Sequence, residues 1–389
     1  MTRSMSPIAV SSQESLPADP REVATLIRRR VVLGAVACGA LSPALVACSS
    51  GASEQDVARA QRRPLATEGS DRAQLMGELV RYATLAPSSH NTQCWTFRLR
   101  AQAIVISPDL SRRCPVVDPD DHHLYVSLGC ATENLAHAAL AAGLQADAHF
   151  DPAGEGAITV NLDATRASVT PLFQSIAGRQ CTRGDYDGQP ISTEELGLLE
   201  RAGSGQGVRV VLLTAASDLE NVLEYVLAAN TAQMSDPPFV AELKTWIRFG
   251  TDEALRTGDG LFAGLAGNPA MPRWLGSRVM GLFFTPKSEN ERYARQVRNS
   301  AGIALFVSES SDKAHWIEAG RCYERFALQA TALGIRNAFL NQPVEVGPLR
   351  PQFVSAFGLG TERPDLVVRF GRGPAMPLSL RRPVRAVLV

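Results

Sequence analysis

Two stretches 191 residues apart read as copies of one helix, either a chance likeness of two Ala-rich helices or the mark of a chain built as two related halves. The first, "LYVSLGCATENLAHAALAAGL", begins at Leu124, and the second, "EAGRCYERFALQATALGI", begins at Glu318. Gly129, Glu133, Ala136, Ala139, Ala141 and Gly143 align without a gap on Gly320, Glu324, Ala327, Ala330, Ala332 and Gly334. In the first copy, Leu128, Ala131, Leu135, Ala138 and Ala142 recur at helical spacing, and Gly143 suits a left-handed residue just past the end. In the second, Trp316, Ala319, Tyr323, Phe326, Ala330 and Leu333 form one apolar face. A short strand pattern follows each copy, "QADAHF" in one case and "RNAFL" in the other. A unit repeated once at this distance points to a fused pair.

Around the first copy, Ser70 or Asp71 can cap a helix through "RAQLMGELVRYATLA". Pro87 stops it, having no N–H and a ring that clashes with the preceding turn. The run Pro87-Ser88-Ser89-His90-Asn91-Thr92-Gln93 can bond its own backbone as a turn or line a flat ligand with polar edges. "WTFRLR" and "AIVISP" follow as short strands. Around the second copy, Ser192 with Glu195 three residues on forms a capping box. Upstream, Arg179 and Arg183 bracket Cys181 and Thr182. Such a segment is either a solvated charged loop or a clamp in which two guanidiniums and a hydroxyl hold a phosphate. Arg372, Arg381 and Arg382 lie in a Pro-rich tail. Residues from about 235 to 285 have no counterpart in the first half. They carry Trp246, Phe249, Phe262, Met271 and Trp274 among Gly and Pro, as an amphipathic surface insertion or a lid over a planar substrate would.

The 39 basic and 39 acidic residues balance, which argues against a nucleic-acid partner. At 45% hydrophobic content the 389 residues suffice for two halves with ordinary cores. No P-loop is present, and no dinucleotide-binding glycine pattern follows a strand. Arg28, Arg29 and Arg30 precede a short apolar run with Gly34, Gly39 and Pro43, the pattern of an export signal. The paired arginines resemble a twin-arginine signal, and Leu45-Val46-Ala47-Cys48 a lipobox that would acylate Cys48. The expectation is a signal over 1–48, a flexible tether over 49–69, and an exported lipoprotein on the periplasmic face of a membrane. Seven cysteines without metal spacing leave five in the mature body, an odd number.

Together, "PSSHNTQCW", "RQCTRGDY", "GCATENLAHAALAAGL" and "SLRRPV" resemble the nitroreductase superfamily of flavoproteins, above all its Acg-type branch with two fused halves. The resemblance covers about residues 70–389. It implies an α+β fold of two pseudo-repeated halves, 70–165 and 166–389, each with a mostly antiparallel sheet flanked by helices, forming an intrachain pseudo-dimer. It also implies one FMN at the seam. Arg179, Thr182 and Arg183 would meet its phosphate and ribityl chain, with Arg381 or Arg382 approaching from the tail. Pro87, Ser88, Ser89 and Asn91 would line the flavin from the other half, and Leu340 and Asn341 would lie near its reactive edge. Cys94 and Cys181 depart from the family pattern. The implied activity is an FMN-dependent oxidoreductase acting on a nitroaromatic, quinone or similar planar acceptor. Its donor would be NAD(P)H or a reductant of the exported compartment. The alternative is a protein that stores FMN under a closed lid. No side chain is needed as a covalent catalyst.

"DPDDHHLY" gathers Asp118, Asp120, Asp121, His122 and His123. Neighbouring histidines diverge on a helix, so the stretch reads as an acidic turn favoured by a helix dipole rather than a metal site.

Overall fold

Strand order repeats just as the helix does. The computed structural model describes residues 53–389 apart from 68, 70, 154, 155 and 267–269. The export signal and lipobox lie outside the described residues. In the first half, β1 (Trp95–Arg100), β2 (Ala103–Pro108), β3 (Leu144–Phe150) and β4 (Ile158–Ala164) form an antiparallel sheet in the order β1-β2-β4-β3. The second half contributes β5 (Val208–Leu213), then β6 (Ile247–Arg248) and β7 (Leu261–Phe262), a small parallel pair of their own. It continues with β8 (Gly302–Ser308), β9 (Arg336–Phe339) and β10 (Arg363–Gly371), and its sheet runs β5-β8-β10-β9, all antiparallel. Taken in chain order within each sheet, both are first-second-fourth-third. The repeated helix, His122–Ala141 or Lys313–Ala332, joins the second strand to the third in each. The α+β architecture of two pseudo-repeated halves is therefore present.

The two repeat helices cross where neither has a side chain. A Cβ on Gly129 would sit 2.0 Å from the Ile317 carbonyl oxygen, and one on Gly320 would sit 2.0 Å from that of Val126. Ile317 and Val126 are themselves 191 residues apart, so the contact repeats itself about a local two-fold axis. Large buried side chains, among them Leu128, Leu135, Tyr323 and Phe326, complete one core shared by both halves.

The halves differ in what covers their sheets. On β3, Gln145, Asp147 and His149 face solvent, so that strand alternates. Strand β8 is buried throughout. Ala304 and Phe306 point into the shared core, while Ile303, Leu305 and Val307 point into a second one. The second core exists because residues 214–301, where the first half has only Ala101 and Gln102, add the helices Ala216–Met234 and Pro286–Arg298. A strand covered on both faces must be apolar at every position.

The ends of the chain tie the halves together. Phe97 N–H donates to Val387 O at 2.7 Å and Val389 N–H to Phe97 O at 3.0 Å, so the tail adds to the edge of the first sheet. The stretch expected to be a flexible tether instead contains the helix Glu54–Ala60, closed by a Ser53–Asp56 capping box. Gln55 exchanges two hydrogen bonds with Leu378, and Gln61 two with Arg381, which fastens this segment to the tail. Small polar composition suggested a tether, but paired amides and a cap supply enough partners for order. Among the described residues no helix is long and apolar enough to cross a membrane.

Candidate functional site

The helix Arg72–Ala83 closes its last carbonyls locally, through the N–H groups of Thr84, Leu85 and Ala86 and the Thr84 hydroxyl, which leaves the carbonyls of Thr84, Leu85 and Ala86 themselves in need of donors. Arginines from the other half take those. Arg381 donates from Nε to Thr84 O (2.7 Å) and from Nη2 to Leu85 O (3.0 Å) and Ala86 O (3.1 Å). Arg179 donates from Nη2 to Leu85 O at 2.7 Å. Cations also suit the negative end of the helix dipole. The RQCTR segment and the tail thus meet the start of the PSSHNTQ loop.

That loop is held by its own polar side chains. Ser88 Oγ accepts from Gln93 N–H at 2.8 Å, and Ser88 O and Ser89 O accept from the N–H groups of Asn91 and Thr92. Pro87 precedes them, partly exposed. Asn91 receives Arg381 Nη1 on Oδ1 and donates from Nδ2 to Gly260 O at 3.0 Å. Gln93 donates to Gly258 O at 2.8 Å and accepts from the Arg382 N–H at 2.8 Å. His90, Asn91 and Gln93 have φ of 48°, 53° and 53°. Three non-glycine residues in the left-handed region cost energy and are held there by these surrounding bonds.

Behind the loop lies a buried patch of positive charge. Arg179 Nε is 3.0 Å from Glu324 Oε1, and both side chains are almost wholly buried. Arg62 and Arg381 lie within charge range of Arg179. Burial, then repulsion from Arg179, pulls the Arg62 guanidinium down to about 10. Arg381 is lowered by burial and by Arg62 and Arg179. Burial pushes the Glu324 carboxyl up to about 6 against the pull of Arg179. Arg179 and Arg381 therefore face one carboxylate, and Arg62 adds a third guanidinium beside them. Arg62 Nε, Arg179 Nη1 and Thr182 Oγ1 are buried with no hydrogen-bond partner. Unpaired buried donors beside surplus cations are what a bound phosphate would satisfy. The residues present fit the phosphate of the FMN that the resemblance implies.

The eleven residues expected at the site are divided by the fold. Arg179 and Arg183 do not form a simple pair of prongs. Arg179 is sealed inside, whereas Arg183 is exposed and makes no hydrogen bond or ion pair from its guanidinium among the described residues. Its charge reaches His90 of the opposite half and also Glu289 and Tyr293. Burial, helped by Arg183 and His123, lowers His90 to about 4, so its ring is neutral at pH 7. Arg381 spends its donors on carbonyls and on Asn91, and Arg382 bonds Gln93 O and Ala386 O. Both position the loop. Thr182 N–H donates to Asn337 O and its carbonyl accepts from the Tyr186 hydroxyl, leaving only its own hydroxyl open. The hydrogen bonds of Leu340 and Asn341 run to Val367, Val344 and Glu345. Those two residues brace the second sheet. Two surface cavities, of about 720 and 190 Å³, are lined by none of the eleven.

The insertion closes directly onto the loop. Besides the Gly258 and Gly260 contacts, Asp259 pairs with Arg112 and Arg248, and Glu242 accepts from the N–H groups of Val116 and Val117. Trp246 has Arg112 and Arg248 over its ring at 5.3 and 5.7 Å. Phe249 and Phe262 are buried, and Trp274 faces solvent, so these aromatics do not together wall one pocket. The five cysteines among the described residues are unbridged, and burial pushes the Cys94 thiol up to about 12.

Sequence reasoning passed over Arg62, Glu324 and His90. Glu324 was visible as the partner of Glu133 in the repeat. His90 stood inside the quoted loop. Arg62 carried no signal, lying in a stretch whose composition resembles a linker.

No family model matches the chain. It is 24% identical over 332 residues to the protein of Mycobacterium tuberculosis H37Rv named "Putative NAD(P)H nitroreductase", an alignment that spans 81% of this chain and 91% of that one. The counterpart in strain CDC 1551 matches equally. A nitroreductase with bound FMN from Bacteroides fragilis aligns in structure at 15% identity, over 53% of this chain and 90% of its own, with a TM-score of 0.34. An FMN-dependent nitroreductase from Mycobacterium smegmatis, in complex with NADPH, aligns at 14% identity over 52% of this chain and 87% of its own, with a TM-score of 0.33. The sequence likeness supports a place for this chain in the nitroreductase superfamily.

Proposed function

We propose that the chain is an FMN-dependent oxidoreductase of the nitroreductase type, passing reducing equivalents to a nitroaromatic, quinone or similar planar acceptor. The observation that carries this reading is the surplus of buried guanidinium around Glu324, with unpaired donors, where the PSSHNTQ loop of one half meets the RQCTR segment of the other. The names of the mycobacterial relatives favour a reduced nicotinamide as donor. Bound FMN would supply hydride and single-electron transfer. Arg62, Arg179 and the Thr182 hydroxyl would hold its phosphate. Arg183, free on the exposed side, would place positive charge near the ring system. Neutral His90 can donate one hydrogen bond without adding charge. The insertion, fastened to Asn91 and Gln93, would keep water from the flavin edge.

The same fastening favours a second reading, an FMN store whose lid stays shut. The visible spectrum of the purified full-length protein separates the two. Yellow protein that bleaches with NADPH or dithionite and recovers its colour with a nitroaromatic supports the oxidoreductase. Yellow protein that dithionite bleaches but no acceptor reoxidises supports storage. Colourless protein that takes up no added FMN would overturn both. We further propose export and lipidation at Cys48; palmitate labelling that is lost in Cys48→Ser is the expected result.

A further inference from the structure

Asp118, His122 and His123 belong to the acidic turn that the sequence presents as a helix start. The fold does more with them. A ring nitrogen of each histidine and an oxygen of Asp118 lie within 4.8 Å of one another, and all three residues are buried. Adjacent residues of a regular helix point about 100° apart. Here His122 is the first helical residue, after Asp121 at a φ of 60°, and the two imidazole centroids are only 4.5 Å apart.

The second half completes the group. Glu345 Oε1 lies 3.9 Å from His123 Nδ1. The His123 side chain is 5% exposed, yet neither ring nitrogen has a hydrogen-bond partner. A buried imidazole with neither nitrogen bonded, between Glu345 and an Asp118 whose oxygens also accept the N–H groups of His123 and Leu124 at 3.0 Å, forms a ligand set. The neighbours are also oriented as ligand supports are. Asp365 Oδ1 holds His122 Nε2 at 2.8 Å, and Gln233 Nε2 donates to Glu345 Oε2 at 2.7 Å. Carboxylates and amides that fix a ligating histidine or carboxylate in this way recur around metal ions. A cavity of about 190 Å³ lined by Gln233 and Glu345 offers a route in.

We propose that Asp118, His122, His123 and Glu345 bind one divalent transition-metal ion at the junction of the two halves. Imidazole with carboxylate suits a borderline ion such as Zn²⁺. Ligand atoms about 2.0–2.1 Å from a tetrahedral ion sit about 3.3 Å apart, so closing the present spacings takes roughly 1 Å of side-chain movement. The site is independent of the flavin assignment. It would pin the first half's longest helix to the segment after β9.

The test uses untagged full-length protein, stripped with a chelator and titrated with Zn²⁺ against a chromophoric competitor. Bound metal is counted by elemental analysis. One ion per chain is expected. His123→Asn and Asp118→Asn should each weaken binding at least 100-fold, and Asp365→Asn about 10- to 100-fold. His149→Asn, at an exposed histidine, should change nothing. Absence of stoichiometric Zn²⁺ in the unmutated protein would overturn the proposal, and so would retention of the ion in a folded His123→Asn variant. If the variants fail to fold, the stoichiometry of the unmutated protein decides alone.

Discussion

Arg179 and Arg183 are four positions apart, yet one is sealed against Glu324 and the other stands in solvent. Their substitutions should therefore fail differently. Arg179→Ala leaves a buried carboxylate without its partner, a loss on the order of 3–5 kcal/mol. The sign of its pH dependence follows from Glu324, whose carboxyl already lies at about 6 with the arginine present and must rise without it. A folded-state value above the unfolded one favours folding at low pH and is lost as pH rises through it. Urea titrations should thus show the deficit shrinking as pH falls towards 6, and Arg179→Ala/Glu324→Gln should recover most of it at pH 7. Arg183→Ala should leave stability unchanged and lower FMN occupancy sharply; unaltered occupancy would count against a role in binding. His90 titrates the other way. Its folded value of about 4 lies below the 6.5 of an unfolded histidine. The unfolded chain therefore binds more protons between those values, and stability falls as pH drops from 6.5 to 4. His90→Asn, which tolerates the left-handed backbone, should flatten that slope in thermal melts at stepped pH. Motif spacing announced both arginines, but only tertiary contacts could show which of them keeps a free guanidinium.

At the level of elements, the crossing of the two repeat helices was legible because it is written twice. Gly129 and Gly320 stood in register, and the fold places each against a carbonyl of the other helix. Gly129→Ala and Gly320→Ala should each cost at least 1–3 kcal/mol, since a methyl group at 2.0 Å from backbone oxygen forces the helices apart. Gly77 in the helix Arg72–Ala83 has nothing within 4 Å of a built Cβ, so Gly77→Ala should stabilise by about 0.4–1 kcal/mol. Equal gains from all three would mean that helix propensity, and not the close approach, governs the result. The helix Glu54–Ala60 was hidden for the opposite reason. Its order comes from Gln55 and Gln61 bonding a tail more than 300 residues away, and no local pattern encodes that. The insertion gave up its existence but not its attachment, since Gly258 and Gly260 act through carbonyls that any residue would offer.

For the molecule as a whole, duplication poses a question of stoichiometry, because two related halves could build two related sites. The pseudo-equivalent carboxylates answer it. Burial opposes ionisation of Glu133, but His137, Arg325 and Arg321 together hold it down at about 2. Arg321 Nε and Arg325 Nη1 reach one Glu133 oxygen at 2.9 and 3.1 Å, so this position is electrically closed. Glu324 has Arg179 as its direct ion pair, while Arg62 and Arg381 add charge that no carboxylate matches. Between these two positions, only that of Glu324 carries positive charge left unmatched for a further anion. The asymmetry has a topological source. The tail that carries Arg381 and the segment that carries Arg62 each occur once, and both end beside the same loop. One FMN per chain is therefore expected when flavin released by heat is measured against protein quantified by amino-acid analysis. Two per chain would mean that the Glu133 position can shed its arginines, and that charge balance at the paired carboxylates does not decide where the nucleotide binds.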